Sequence, residues 1–191
     1  ADAENTAVTI SADSNGNVAT KDLQAAIEAI YGKRPTLRSF NAEVLANMTI
    51  NGQASLLSTT TTVTATPKAP FISTGYYLVG DMFKIDEANN GWNDVCMQPF
   101  SHSGKDVYED PIFTIVFPVS DGETWFAVTD DITVEKNDWT LVFGCAEGNG
   151  NNTEEGSLKR RADLTDDGSF KVVVDGDAKF IKMTLNMMEY T

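Results

Sequence analysis

Apolar positions recur along this 191-residue chain in two rhythms, and the change falls near residue 70. Leu23, Ala26, Ile27, Ile30 and Tyr31 are spaced for one face of a helix, predicted over residues 20–31. Thr20 is the expected N-cap, Asp22 suits the positive end of the helix dipole, and Gly32 and Pro35 end the run. Around the helix stand three expected strands, Thr6–Ile10, Phe40–Ile50 and Ser55–Thr66. Asn51-Gly52 between the last two is a hairpin turn signal. Three strands and a helix make a thin core, whereas a two-sheet sandwich takes about seven strands, so this first domain is expected to be incomplete. Thr66-Pro67-Lys68-Ala69-Pro70 then reads as a short, stiff linker.

From residue 71 the rhythm is that of strands. Tyr76–Val79, Ile112–Phe117, Thr124–Thr129, Trp139–Phe143, Ser169–Val174 and Ala178–Met188 are the candidates, parted by turns such as Asp121-Gly122, Asp167-Gly168 and Asp175-Gly176. Phe170, Val172 and Val174 alternate with polar residues, as do Ile181, Met183, Leu185 and Met187, which predicts strands buried on one face only. Residues 83–94 and 144–163 are long, polar and glycine-rich, the kind of loop in which binding residues concentrate. The expected fold is mainly β, two antiparallel β-sandwich domains over residues 1–70 and 71–191.

Charge sharpens the division. Residues 1–70 carry 6 acids and 5 bases, and residues 71–191 carry 22 acids and 9 bases together with all three tryptophans. A domain this acidic repels phosphate backbones, so nucleic acid is excluded as a partner. Cys96 and Cys145 lack metal-ligand spacing and read as small buried apolar residues. His102 is the sole histidine, which rules out a multi-histidine metal site and most histidine-activated nucleophiles. The runs starting at Asp13 and Asp163 resemble calcium loops in composition but not in spacing: Gly16 is fourth rather than sixth, and Val174 stands where the twelfth-position glutamate belongs. No cofactor is expected.

The aromatics carry the remaining chemistry. A pyranose presents an apolar C–H face, and stacking it on an indole removes that surface from water without stranding its hydroxyls. Trp139, Leu141 and Phe143 alternate as a core stripe would. Trp125 falls on the opposite face of its strand from Phe126 and Val128, so it points outward if they point in. Trp92 follows Asn89-Asn90-Gly91 and is either a plug folded back on the sheet or a ligand platform, with Asn93 beside it as a polar contact. Lys159-Arg160-Arg161 is the only basic run in the acidic half; Lys159 and Arg161 either reach sugar hydroxyls or pair with Glu154 and Glu155 at a solvated loop end. The expected ligand site therefore comprises Trp92, Trp125, Asn93, Lys159 and Arg161, with no catalytic residue.

Tyr77-Leu78-Val79-Gly80-Asp81, followed by Gly91-Trp92-Asn93 and Met97, resembles the repeated binding modules of the SusE/SusF-like outer-membrane lipoproteins of Bacteroidetes. The resemblance makes residues 71–191 one carbohydrate-binding module and residues 1–70 the back half of the immunoglobulin-like domain that precedes such modules. It implies a non-catalytic protein at the cell surface that binds an oligo- or polysaccharide for capture and uptake. It further implies outer-membrane transporter subunits as a second class of partner, and membrane attachment only through a lipid anchor on a segment absent from these residues. The alternative is a spacer or assembly subunit without a ligand of its own. The pattern is also similar to that of starch-binding modules attached to amylases, where the loop tryptophan and a second tryptophan after a later strand form the platform, places that the resemblance gives to Trp92 and Trp125. Those modules often carry a Lys-Phe pair shortly before the second tryptophan; here Val119-Ser120-Asp121-Gly122-Glu123-Thr124 has no lysine, which weakens the case for starch more than for sugars in general.

Overall fold

The computed structural model describes residues 7–119, 122–152, 154–174 and 176–191. They form two compact units, residues 1–70 and 71–191. The chain is mainly β, and every strand pair is antiparallel. No helix among the described residues is long and apolar enough to cross a membrane.

In the first unit, α1 spans Thr20–Tyr31 and buries Ala26 and Ile27. Its N-cap is Ala19 rather than Thr20, which is already the first helical residue, and no side chain caps the end. Gly32 closes the helix at φ 76°, a conformation that favours glycine. β1 (Arg38–Ile50) and β2 (Gln53–Ala65) form one long hairpin, with Asn51 and Gly52 at φ 52° and 80°. Two consecutive positive φ values are what a two-residue type I′ turn requires, and Asn-Gly supplies them at little cost. The strand expected at Thr6–Ile10 does not form over residues 7–10, and Thr6 lies outside the described residues. The hairpin is therefore a two-stranded sheet with exposed Val44, Leu45, Leu56 and Leu57.

The second unit is built on two sheets. β3 (Tyr76–Gly80), β4 (Gln98–Pro99), β6 (Glu123–Asp130), β7 (Phe143–Cys145), β8 (Leu158–Arg160) and β9 (Phe170–Val173) make the larger one. β5 (Ile112–Pro118) and β10 (Phe180–Asn186) make the smaller. β6 is the centre of the larger sheet: β3 pairs with it along Phe126–Asp130, β9 pairs with its Glu123–Phe126 and β7 with its Val128. Pleat alternation sends Phe126 and Val128 of β6 and Tyr76 and Leu78 of β3 to one face, where all four are buried. There Tyr76 meets Phe113 edge-on at 4.7 Å and Phe117 meets Phe126 at 5.5 Å, joining the two sheets. The opposite face of the large sheet carries Val79, Trp125 and Ala127.

Three local departures matter. The expected strand Trp139–Phe143 is a 3-10 turn at Trp139–Leu141 followed by β7, so Trp139 no longer alternates in step with Phe143. Asp138 drives the turn, its carboxylate accepting from the Thr140 N–H at 3.1 Å and hydroxyl at 2.6 Å. A short helix, α2 (Asp131–Lys136), follows β6 directly, capped by Asp130, whose Oδ1 accepts from the Thr133 N–H at 3.0 Å. Finally, the expected 144–163 loop contains β8, held against β7 and braced by Arg160. The Arg160 guanidinium lies 3.7 Å from the Phe143 ring centroid and bonds the fully buried Asp130 carboxylate at 2.6 Å, so the middle residue of the basic run is structural.

Candidate glycan-binding face

The outer face of the large sheet centres on Val79, Ala127 and Val142, a buried apolar cluster contributed by β3, β6 and the entry to β7. Trp92, Met97 and Trp139 pack against this cluster and remain partly exposed. Trp92 arrives from the β3–β4 connection and Trp139 from the turn before β7, so two distant segments deliver an indole to one small platform. Each ring is supported from beneath by aliphatic side chains and keeps surface in contact with water.

The Trp92 loop is shaped by two glycines. Gly91 sits at φ 98°, and a Cβ there would run into the Gly80 carbonyl. This close approach lets the Gly80 N–H donate to the Gly91 carbonyl at 2.9 Å, stitching the loop to the end of β3. The indole N–H of Trp92 then donates to Asp81 Oδ1 at 2.6 Å, and its backbone N–H donates to Asn90 Oδ1 at 3.2 Å. Asn93 is turned into the same loop: its Nδ2 donates to the Ala88 carbonyl at 3.3 Å and to Asn89 Oδ1 at 3.2 Å. Its Oδ1 is buried with no partner among the described residues. Asp86 accepts from the Ala88 and Asn89 N–H groups and from the Asn89 side chain, and these bonds, those from Asn89 foremost, hold its carboxyl below the usual carboxylate range. The loop is thus rigidified by its own polar groups, and its tryptophan is held in place.

Trp125 stands on the same sheet face, two residues before Ala127 on β6, and is partly exposed. Its indole N–H donates to Glu123 Oε2 at 3.0 Å. Lys171, its cross-strand partner on β9, bonds Glu123 Oε1 at 3.1 Å and places its ammonium 5.3 Å from the Trp125 ring centroid. Hydrogen bonds from Lys171 and then from Trp125 keep the Glu123 carboxyl below its ordinary range. Gly150 lies against the benzo edge of the ring, where a Cβ would come within 2.6 Å of Cη2.

Of the residues expected to bind ligand, the structure brings Trp92 and Trp125 to one face and turns Asn93 into its own loop as a brace. Lys159 is exposed on β8, opposite Gly144, and no described contact joins it to a tryptophan. Arg161 donates from Nε to the Asp167 carbonyl at 2.9 Å, tying down the next turn. Two residues on the face escaped the sequence reading. Trp139 was hidden by strand alternation that the Asp138 turn breaks, and Lys171 becomes a neighbour of Trp125 only through β6–β9 pairing. A cavity of about 1180 Å³ lies elsewhere. Its lining includes Phe117, Phe126 and Phe170 with Ile181, Met183 and Leu185 of β10, and none of the three tryptophans.

No group of three or more His, Cys, Asp or Glu side chains among the described residues is placed to hold a metal ion. Cys96 and Cys145 are buried free thiols, and burial together with the neighbouring Glu147 raises the Cys145 thiol further from ionisation.

A partly exposed aromatic face on a β-sandwich, with a Gly-Trp loop at its edge, agrees with the family comparison. Residues 71–191 match the model described as SusF, first starch specific CBM, and residues 1–67 match that of the outer membrane protein SusF, N-terminal domain. The chain belongs to the SusF family. Comparison with curated proteins and with solved structures gives no match. Membership makes this an outer-membrane, cell-surface protein carrying a carbohydrate-binding module, and the sheet face just described is the outer face of that module.

Proposed function

We propose that this SusF-family protein is a non-catalytic glycan receptor that captures polysaccharide at the cell surface for uptake, and that the tryptophan face is its binding site. The observation that carries the reading is the convergence of Trp92 and Trp139 on the Val79–Ala127–Val142 cluster. A half-exposed indole on an aliphatic support costs solvation unless something apolar and flat covers it, and a sugar ring is both. Asp81, Glu123 and Lys171 beside the indoles supply charged hydrogen-bonding groups for hydroxyls, the mixture that fixes orientation in a mostly apolar site. Asn93 and Arg161 act through the loops they brace, and Lys159 is the outlying cation. Because the matching family description names starch, an α-glucan is the first ligand to test.

Affinity electrophoresis through gels cast with starch, xylan or mannan tests the reading. Wild-type protein is expected to be retarded by one polymer, and Trp92→Ala or Trp139→Ala to lose most of that retardation. Free migration in every gel would leave the spacer alternative standing, and release of sugar from any polymer would mean the protein is an enzyme.

A specific feature supports contact with transporter subunits as well. β1 and β2 run 13 residues each with exposed Val44, Leu45, Leu56 and Leu57, and β2 has no charged residue, so its open edge is a template for pairing with another chain.

A further inference from the structure

The inner faces of the two sheets do not close on each other along one side. Val119 donates its N–H to the Lys179 carbonyl at 3.1 Å and Met187 to the Pro111 carbonyl at 3.0 Å, and these bonds bracket the β5–β10 ladder. Bonded and unbonded pairs alternate between them, so Ile181, Met183 and Leu185 bond β5 while Phe180, Lys182 and Thr184 turn their N–H and C=O groups away from it. Asn186 is next in that outward series, and its N–H and C=O bond Thr191 at 2.7 and 3.2 Å. The three before it have no strand beside them, because among the described residues β10 pairs with β5 alone. Burial marks the same gap. Phe113, Ile115 and Phe117 on the inner face of β5 are buried, whereas Ile181 and Met183, opposite Phe117 and Ile115, are only half-buried, as are Phe170 and Val172 on β9. These last four residues line the cavity of about 1180 Å³.

We propose that this open side is a docking site for an extended segment of a partner polypeptide, which adds to β10 as a third strand of the smaller sheet. A strand laid beside Phe180–Thr184 exchanges hydrogen bonds with the outward groups of β10, and its alternate side chains enter the cavity against Phe170, Val172, Ile181 and Met183. Such a segment is apolar at every second position. A sugar offers no row of backbone groups, so the ligand differs in kind from that of the tryptophan face, none of whose indoles lines the cavity. Charge narrows the partner further. Glu147, Glu154 and Glu155 line the cavity against Lys182. The Ser157 N–H bonds Glu147 Oε1 at 2.9 Å and the Leu158 N–H bonds the Tyr190 carbonyl at 2.7 Å, so the acids stand near the end of β10 where Asn186 meets Thr191. A segment with a lysine or arginine at that end complements this rim.

Selection of short random peptides displayed on phage, with the full chain as bait, tests this without presupposing a sequence. The wild type is expected to enrich peptides that are apolar at alternate positions and carry lysine or arginine toward one end. Thr184→Pro removes one outward N–H and no bond to β5, so it should melt as wild type does and bind the selected peptide about tenfold more weakly in fluorescence polarisation. Thr184→Val keeps the N–H and should bind normally. Glu154→Lys should lower affinity about threefold, a loss that shrinks at high salt. N-methylation of the selected peptide reads the same contact from the ligand: blocking one set of alternate amides should abolish binding, and blocking the other set should leave it. Retardation in polysaccharide gels should be unchanged in all three variants, so the receptor reading and this one fail separately. Enrichment of no peptide, of peptides without the alternation, or of peptides that Thr184→Pro binds equally well would overturn the proposal, as would equal effects from the two methylated sets. Self-association of the wild type that Thr184→Pro abolishes would also overturn it, since a second copy would then supply the strand.

Discussion

The Trp92 indole N–H meets Asp81 Oδ1 at 2.6 Å, within the connection from β3 to β4. A charge-assisted bond of this length orients the ring more firmly than packing alone. Asp81→Ala should therefore leave the fold intact but free the indole to turn. Glycan affinity is expected to fall about three- to fivefold, against about tenfold for Trp92→Ala, where the stacking surface itself is lost. Titration of the two variants in parallel, with near-ultraviolet circular dichroism reporting ring order, checks both.

Trp139 has a double role, because it covers Val79, Ala127 and Val142 while offering a face to solvent. A fully buried tryptophan costs about 3–5 kcal/mol on truncation, so a half-buried one is expected to cost about 2 kcal/mol. Trp139→Ala should lower both the unfolding midpoint and the glycan affinity, whereas Trp139→Phe should keep most of each. A variant that lost stability while binding normally would return Trp139 to a purely structural place.

Arg160 and Asp130 make the structural demand that the rest of the basic run does not. Asp130 is fully buried, caps α2, and is neutralised by Arg160 at 2.6 Å. Arg160→Ala would strand that carboxylate in the interior, at a cost of about 3–5 kcal/mol. Lys159→Ala and Arg161→Ala lie outside the ion pair and should each change stability by under about 1 kcal/mol. Urea denaturation of the three variants distinguishes neighbours in sequence that differ in environment.

Much of this was legible in the chain. The helix over 20–31, the Asn51-Gly52 hairpin and the placement of Trp125 opposite Phe126 and Val128 follow from periodicity and turn chemistry, which are local. What periodicity missed depends on interruption or on pairing. Asp138 captures the Thr140 backbone and turns an apparent Trp139–Phe143 strand into a 3-10 turn, so a tryptophan assigned to the core emerges on the outer face. Lys171 is 46 positions from Trp125 in sequence and its direct partner in the sheet, a register no single sequence states. Arg160 sits between Lys159 and Arg161, yet strand alternation alone sends it inward.

The brace around Trp125 makes its environment depend on acidity. Bonds from Lys171 and Trp125 hold the Glu123 carboxyl below its ordinary range in the folded protein. A depressed carboxyl binds its proton less readily folded than unfolded, so the contribution it makes is present above the ordinary glutamate value, about 4.3, and is lost as pH falls through the lower folded value. From pH 7 down to about 5 the brace should therefore be constant, and below that it should loosen as Glu123 takes up a proton and releases Lys171. Glu123→Gln should show the loosened state at neutral pH and no further change on acidification. The measurement is Trp125 emission in a Trp92→Phe, Trp139→Phe background, titrated from pH 7 to pH 3 with and without Glu123→Gln. A midpoint at or above the ordinary glutamate value would mean that the carboxylate does not hold the indole and the ammonium together in solution.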